Sequence, residues 1–140
     1  MVQVKFKKLT ETAKPFSYSR EGDACMDVCA DESTILMPNE TKVINTGIAL
    51  EVPEGHEGII RGRSGLALNK IVVHVGTIDS NYRGNVGVIM TNLNSTMYPI
   101  YKGQRIAQFS LQPVMHVQLT ETDTLSETDR GDNGYGSSGL

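Results

Sequence analysis

TKVINTGIALEV, residues 41–52, reads as a β-strand. Val43, Asn45, Gly47 and Ala49 fall on one face, and Ile44, Thr46, Ile48, Leu50 and Val52 on the other. A period of two is what a pleated backbone turns into two opposed surfaces. Further along the chain, Asn85 to Leu93, Arg105 to Leu111 and Val114 to Leu119 repeat the pattern and are predicted strands. Pro53-Glu54-Gly55 and Lys102-Gly103-Gln104 punctuate them as turns. Helical periodicity is nearly absent. Only Ser64 to Lys70, with Leu66, Ala67 and Leu68, has room for a couple of helical turns. Parallel sheets need intervening helices, so short strands separated by glycine turns point to an all-β barrel or jelly roll.

The chain has 140 residues, enough for one domain with a modest core. Its 13 basic and 16 acidic side chains give a net charge of -3. A nucleic-acid or membrane-surface binder would normally carry a basic excess, so neither partner is expected. A small anionic ligand remains compatible, because a pocket needs only a few arginines and backbone N–H groups. The N-terminal MVQVKFKKLT lacks the apolar stretch of a signal peptide or membrane span. Cys25 and Cys29 are too few for a disulfide scaffold, and no histidine stands at zinc-ligand spacing to them. Two reduced thiols in a cytoplasmic protein are expected.

From Glu121 the chain changes character. ETDTLSETDRGDNGYGSSGL is polar and glycine-rich, and cannot bury enough surface to order itself. It reads either as a disordered end or as a segment that folds over a ligand. The expected organisation is a β-barrel domain over residues 1–120 followed by a flexible segment over 121–140.

Four segments carry chemistry. Gly62-Arg63-Ser64-Gly65 brackets a cation and a hydroxyl with glycines, which let N–H groups approach phosphate oxygens. Gly76-Thr77-Ile78-Asp79-Ser80-Asn81-Tyr82-Arg83-Gly84 holds a carboxylate, a ring and a guanidinium between glycine turns. In Gly103-Gln104-Arg105-Ile106-Ala107-Gln108, Gln108 falls inside an apolar strand, where a buried amide would need partners; otherwise it faces solvent. The tail offers Arg130, Tyr135 and a Gly-Ser-Ser-Gly stretch for charge, stacking and phosphate contacts.

Taken in order, ACMD with Asp27, RSGLA at 63–67, GTIDSNYRGNVGV at 76–88, KGQRIAQF at 102–109 and RGDNGYGSSG at 130–139 resemble the five motifs of trimeric dUTPases. The resemblance runs from about residue 22 to the end. It implies a jelly-roll-like distorted β-barrel, assembled as a homotrimer whose active sites lie between subunits and whose exchanged C-terminal arm, residues 121–140, closes over them. It also implies hydrolysis of dUTP to dUMP and pyrophosphate, which removes dUTP and supplies dUMP for dTMP synthesis.

By this resemblance Asp79 activates the water that attacks the α-phosphorus. A carboxylate is a mild base, so positioning and charge neutralisation must supply much of the rate. Mg2+ is the implied neutraliser, held by Asp27 through water. Arg63, Ser64 and Gly65 match phosphate contacts, Gln108 an amide near the α-phosphate, and Arg130, Gly136, Ser137 and Ser138 the arm's contacts. Val75, Gly76 and Thr77, with Gly87 opposite, match the uracil-reading edge, and Tyr135 the ring that stacks on the base. Tyr82 matches the ring beneath the deoxyribose, which leaves no space for a 2′-hydroxyl.

Three positions depart from the family pattern. Cys25 and Asn133 stand where glycine is usual, and Tyr135 replaces the usual phenylalanine. The related dCTP deaminases need a glutamate after the third motif, in a stretch similar to "LEL". Here it is Val88-Ile89-Met90, with no carboxylate to shuttle protons at the base. A regulatory module that has lost catalysis would be expected to lose Asp79 or the arm motif, and both are present. An added regulatory protein partner would leave no mark in the sequence.

Overall fold

A computed structural model describes residues 1–135 of the chain. Its elements in order are β1 (Lys5–Lys8), β2 (Met26–Cys29), β3 (Thr34–Leu36), β4 (Thr41–Glu51), β5 (His56–Arg61), α1 (Ser64–Leu68), β6 (Ile71–Val73), β7 (Gly76–Ile78), β8 (Asn85–Asn92), β9 (Tyr98–Ile100) and β10 (Arg105–Pro113). They form two four-stranded sheets, ordered β1-β4-β8-β6 and β2-β10-β5-β7, and a small β3-β9 ribbon. All the pairings are antiparallel. The all-β expectation holds. No helix among the described residues is long and apolar enough to cross a membrane.

The two sheets are held together by the faces that alternation exposes. Ile44, Thr46, Ile48, Leu50 and Val52, one face of the 41–52 stretch, are all buried. They share one core with Val86, Val88 and Met90 of β8, and with Val28, Ile60, Ile106 and Phe109 of the opposite sheet. Burial stabilises each such side chain by about 1.5–3 kcal/mol. Thr46 is tolerated there because its hydroxyl donates to the Val86 carbonyl at 2.7 Å.

Two expectations need correction. Val114 to Leu119 is not a strand. Pro113 pairs with His56, the first residue of β5, so the neighbouring strand is used up at this point. Within residues 114–119 only the Val114 N–H finds a backbone acceptor, the Gly55 carbonyl at 2.8 Å, and Met115, Val117 and Leu119 are exposed. The period of two is present but lacks a partner. The helix is also shorter than predicted, ending at Leu68 and burying only Leu66. Asn69 and Lys70 close it with i→i-3 bonds, and Lys70 turns to φ 56°.

Candidate active site

A cleft of about 720 Å³ opens where β2, β10 and the start of α1 converge, and Asp27, Arg63, Ser64, Gly65, Arg105 and Gln108 line it. Asp27 lies opposite Gln108 in the β2–β10 register, and Gln108 lies opposite Arg61 of β5. Gln108 is half-buried and donates to the Gly62 carbonyl at 2.7 Å. Its Nε2 thus has a partner, and the bond fixes the strand-to-helix turn that carries Arg63. Arg63 is the N-cap of α1 in extended conformation, with no side-chain cap and no acidic residue in the first turn. The first N–H groups of a helix lack intrahelical acceptors and carry partial positive charge.

Asp27 is the hub of this cleft. Its carboxylate accepts from the Ser19 hydroxyl, from Arg105 Nη1 at 3.1 Å, and pairs with Arg63 Nε at 3.4 Å. Burial alone would raise its pKa, but the Ser19 and Arg105 hydrogen bonds and the Arg63 and Arg105 charges outweigh it and hold the carboxyl below its ordinary value. Arg63 Nη1 also donates to the Arg105 carbonyl at 3.2 Å. Arg20, Asp23 and Cys25 line the same cleft. Three guanidinium groups face two carboxylates here. The surplus positive charge and bidentate donors suit a phosphate ligand.

Arg105, Ser19, Arg20 and Asp23 were not among the predicted site residues. Strict alternation puts Arg105 and Gln108 on opposite faces of β10. A register shift between Arg105 and Ala107 breaks that alternation, buries Ile106 and Ala107 in succession, and brings both side chains to the cleft. No period in the sequence marks such a bulge.

Asp79 and Tyr82 lie elsewhere. Asp79 follows β7 and lines a separate cleft of about 330 Å³ with Ser80, Asn81, His56 and His116. The Tyr82 N–H donates to the Asp79 carbonyl at 3.1 Å, and Arg83 Nη1 donates to the Ser80 and Tyr82 carbonyls at 2.7 and 2.9 Å, so the turn is tied to itself. Val75 is exposed just before β7. β7 is an edge strand: Gly76, Thr77 and Ile78 pair with β5 on one side only. Edge N–H and C=O groups are open to a hydrogen-bonding ligand. Gly87 pairs with Asn45 on β4, and a Cβ there would lie 2.5 Å from Val43 Cγ1. Close packing against Val43 is thus sufficient reason for glycine at that position. Arg130 donates to the Asn133 carbonyl at 3.0 Å, and Tyr135 is fully exposed. Neither lines either cleft. Gly136, Ser137 and Ser138 lie outside the described residues.

Within one chain, then, the phosphate-type residues Asp27, Arg63, Ser64, Gly65 and Gln108 are gathered, while Asp79, Tyr82 and the 75–77 edge stand apart. The fold and this cleft define an all-β protein with a charged cleft whose donors suit an anionic, phosphate-bearing ligand. The sequence model of the dUTPase family matches residues 11–139, and the chain belongs to that family. It is 43% identical over 141 aligned positions to the deoxyuridine 5'-triphosphate nucleotidohydrolase of Picosynechococcus sp., covering 99% of each chain. Its backbone resembles a mutant of the Staphylococcus bacteriophage 80alpha dUTPase solved with dUpNHpp, with TM-score 0.93, 28% identity and 100% of both chains covered. It also resembles a mutant dUTPase from phage phi11 of S. aureus, described with a coordinated structural Mg(II) ion. There the TM-score is 0.86 at 24% identity, covering 90% of this chain and 100% of that one.

Proposed function

We propose that this chain is a cytoplasmic dUTP diphosphatase that hydrolyses dUTP to dUMP and pyrophosphate, so removing dUTP and supplying dUMP for dTMP synthesis. The observation that carries the reading is the Asp27-Arg63-Arg105-Gln108 cleft beside the uncapped start of α1. It offers an ionised carboxylate, fixed guanidinium groups and backbone donors at one place, in a chain of the dUTPase family.

The cleft's donor set fits Mg2+ in one particular way. No group of three His, Cys, Asp or Glu side chains among the described residues could hold a metal ion, and both Asp27 oxygens already have protein partners. A cation here would be held by Asp27 through water, with phosphate oxygens completing its shell, which is how Mg2+ is commonly bound. When bound, it neutralises triphosphate charge and stabilises the pyrophosphate leaving group.

The chain's own residues do the rest. Arg63, Ser64 and Gly65 hold the phosphate chain, and Gln108 orients its α-phosphate end. The open edge at Val75, Gly76 and Thr77 pairs with uracil's O2, N3–H and O4, and cytosine presents the opposite pattern at N3 and N4. Lack of room for a 5-methyl group rejects thymine. The Tyr82 ring lies beneath the deoxyribose. Asp79 orients a water and takes its proton as it attacks the α-phosphorus. Asp79 and Asp27 line different clefts, so a complete site would be assembled between copies of the chain. A homotrimer meets that need. Its arm, residues 121–140, would bring Arg130, Tyr135, Gly136, Ser137 and Ser138 over the nucleotide.

Two experiments test this reading. Hydrolysis in 18O-labelled water should put the label in dUMP; label in pyrophosphate would move the attack to the β-phosphorus. Asp79→Asn should lower kcat by a factor of about 10²–10⁴ with the fold intact. A variant as active as the parent would remove Asp79 from the mechanism.

A further inference from the structure

Tyr82 lies in an exposed turn, yet its ring is held from two sides. Its hydroxyl donates to the Asn85 carbonyl at 2.9 Å. Gly84 lies so close under the ring that a Cβ there would collide with Tyr82 Oη and lie 2.6 Å from Cζ. The phenol hydroxyl is thus spent within the turn, and what Tyr82 presents outward is its ring. The pose of that ring depends on where the first residue of β8 is anchored.

Asn85 is anchored by its own side chain. Its Oδ1 accepts the Gly47 N–H at 2.8 Å, and its Nδ2 donates to Asn45 Oδ1 at 2.7 Å. Both partners belong to β4, where the ladder skips: Asn45 pairs with Gly87, and the next pair is Ala49 with Asn85. Gly47, at φ 67°, sits inside this bulge and is buried. Its N–H therefore bonds a side chain, where a regular strand would supply a carbonyl. Removing the Asn85 amide would leave that donor unpaired and the start of β8 free to shift, carrying its carbonyl and the Tyr82 tether with it.

We infer that Asn85 is a positioning residue for sugar selectivity: by clamping β8 to the β4 bulge it fixes the Tyr82 ring against a 2′-hydroxyl. This rests on the reading of Tyr82 as the ring beneath the deoxyribose. Asn85 itself lines neither cleft, so its influence on the sugar is carried through Tyr82. The test compares kcat/KM for dUTP and UTP in the parent protein, Asn85→Ala, Asn85→Asp and Gly84→Ala.

In Asn85→Ala the dUTP-to-UTP ratio should fall by about tenfold, the scale of one lost buried hydrogen-bond partner. Asn85→Asp keeps an acceptor for Gly47, and Asn45 can turn its amide to donate, so the ratio should return to within about threefold of the parent. Gly84→Ala displaces the ring from below without touching the clamp, and should lower the ratio as well. An Asn85→Ala protein that loses the same factor on both substrates, with the ratio unchanged, would reduce Asn85 to a structural role and overturn the inference. If Asn85→Ala fails to fold, a Gly84→Ala ratio equal to the parent's would overturn it. A parent protein that does not distinguish dUTP from UTP would instead overturn the reading of Tyr82 beneath it.

Discussion

At the scale of single residues, Asp27 determines the character of the cleft between β2, β10 and α1. It is shared among Ser19, Arg63 and Arg105, and its carboxyl is held below the ordinary carboxylate range, so it stays ionised throughout neutral pH. Replacing it with Asn keeps the shape and removes the charge, leaving two guanidinium groups without their counter-ion. Asp27→Asn should raise the Mg2+ concentration for half-maximal activity by about 10–100-fold, as is usual when a group that organises a metal's surroundings is lost. Titration of activity against Mg2+ at saturating dUTP would measure it. A variant with the parent's Mg2+ dependence would mean that Asp27 only ties Arg63 and Arg105 together.

At the scale of elements, β4 shows what alternation reveals and what it hides. The Ile44 to Val52 face was legible because it obeys the period of two from end to end. The bulge was not, although it also decides the opposite face. Gly47 lies at φ 67°, and a Cβ there would come within 2.6 Å of Asp31 Oδ2, 2.8 Å of Ala13 Cβ and 3.0 Å of Thr10 Oγ1. Gly47→Ala should therefore destabilise the fold by about 2–4 kcal/mol, adding backbone strain to overpacking. Urea unfolding would report it, and an unchanged midpoint would contradict the close approach. β10 gives the same lesson: Gln108 was legible from its motif, whereas Arg105 needed a bulge that no residue type announces. Val114 to Leu119 shows the converse. Its alternation is real, but a strand also needs a neighbour, and in one chain β5 ends there.

At the scale of the whole molecule, the placing of Asp79 and Asp27 in different clefts is what leads us to propose that assembly is part of the chemistry. The order of five motifs was readable because each is local. That their residues meet across copies is implied only by the family resemblance. Removing residues 121–140, which form no helix or strand in the described part of the tail, should leave the core and its thermal unfolding unchanged. The same truncation should lower kcat/KM for dUTP by at least about 100-fold, because an arm that closes over a ligand supplies contacts and excludes water. A truncated protein with full activity would remove the arm from the site. The most direct test of the central claim is pyrophosphate release from dUTP with and without Mg2+, with UTP, dCTP and dTTP in parallel. The account predicts rapid, chelator-sensitive release from dUTP alone. Equal release from all four would contradict it and leave a general nucleotide pyrophosphatase in which neither the 75–77 edge nor Tyr82 selects.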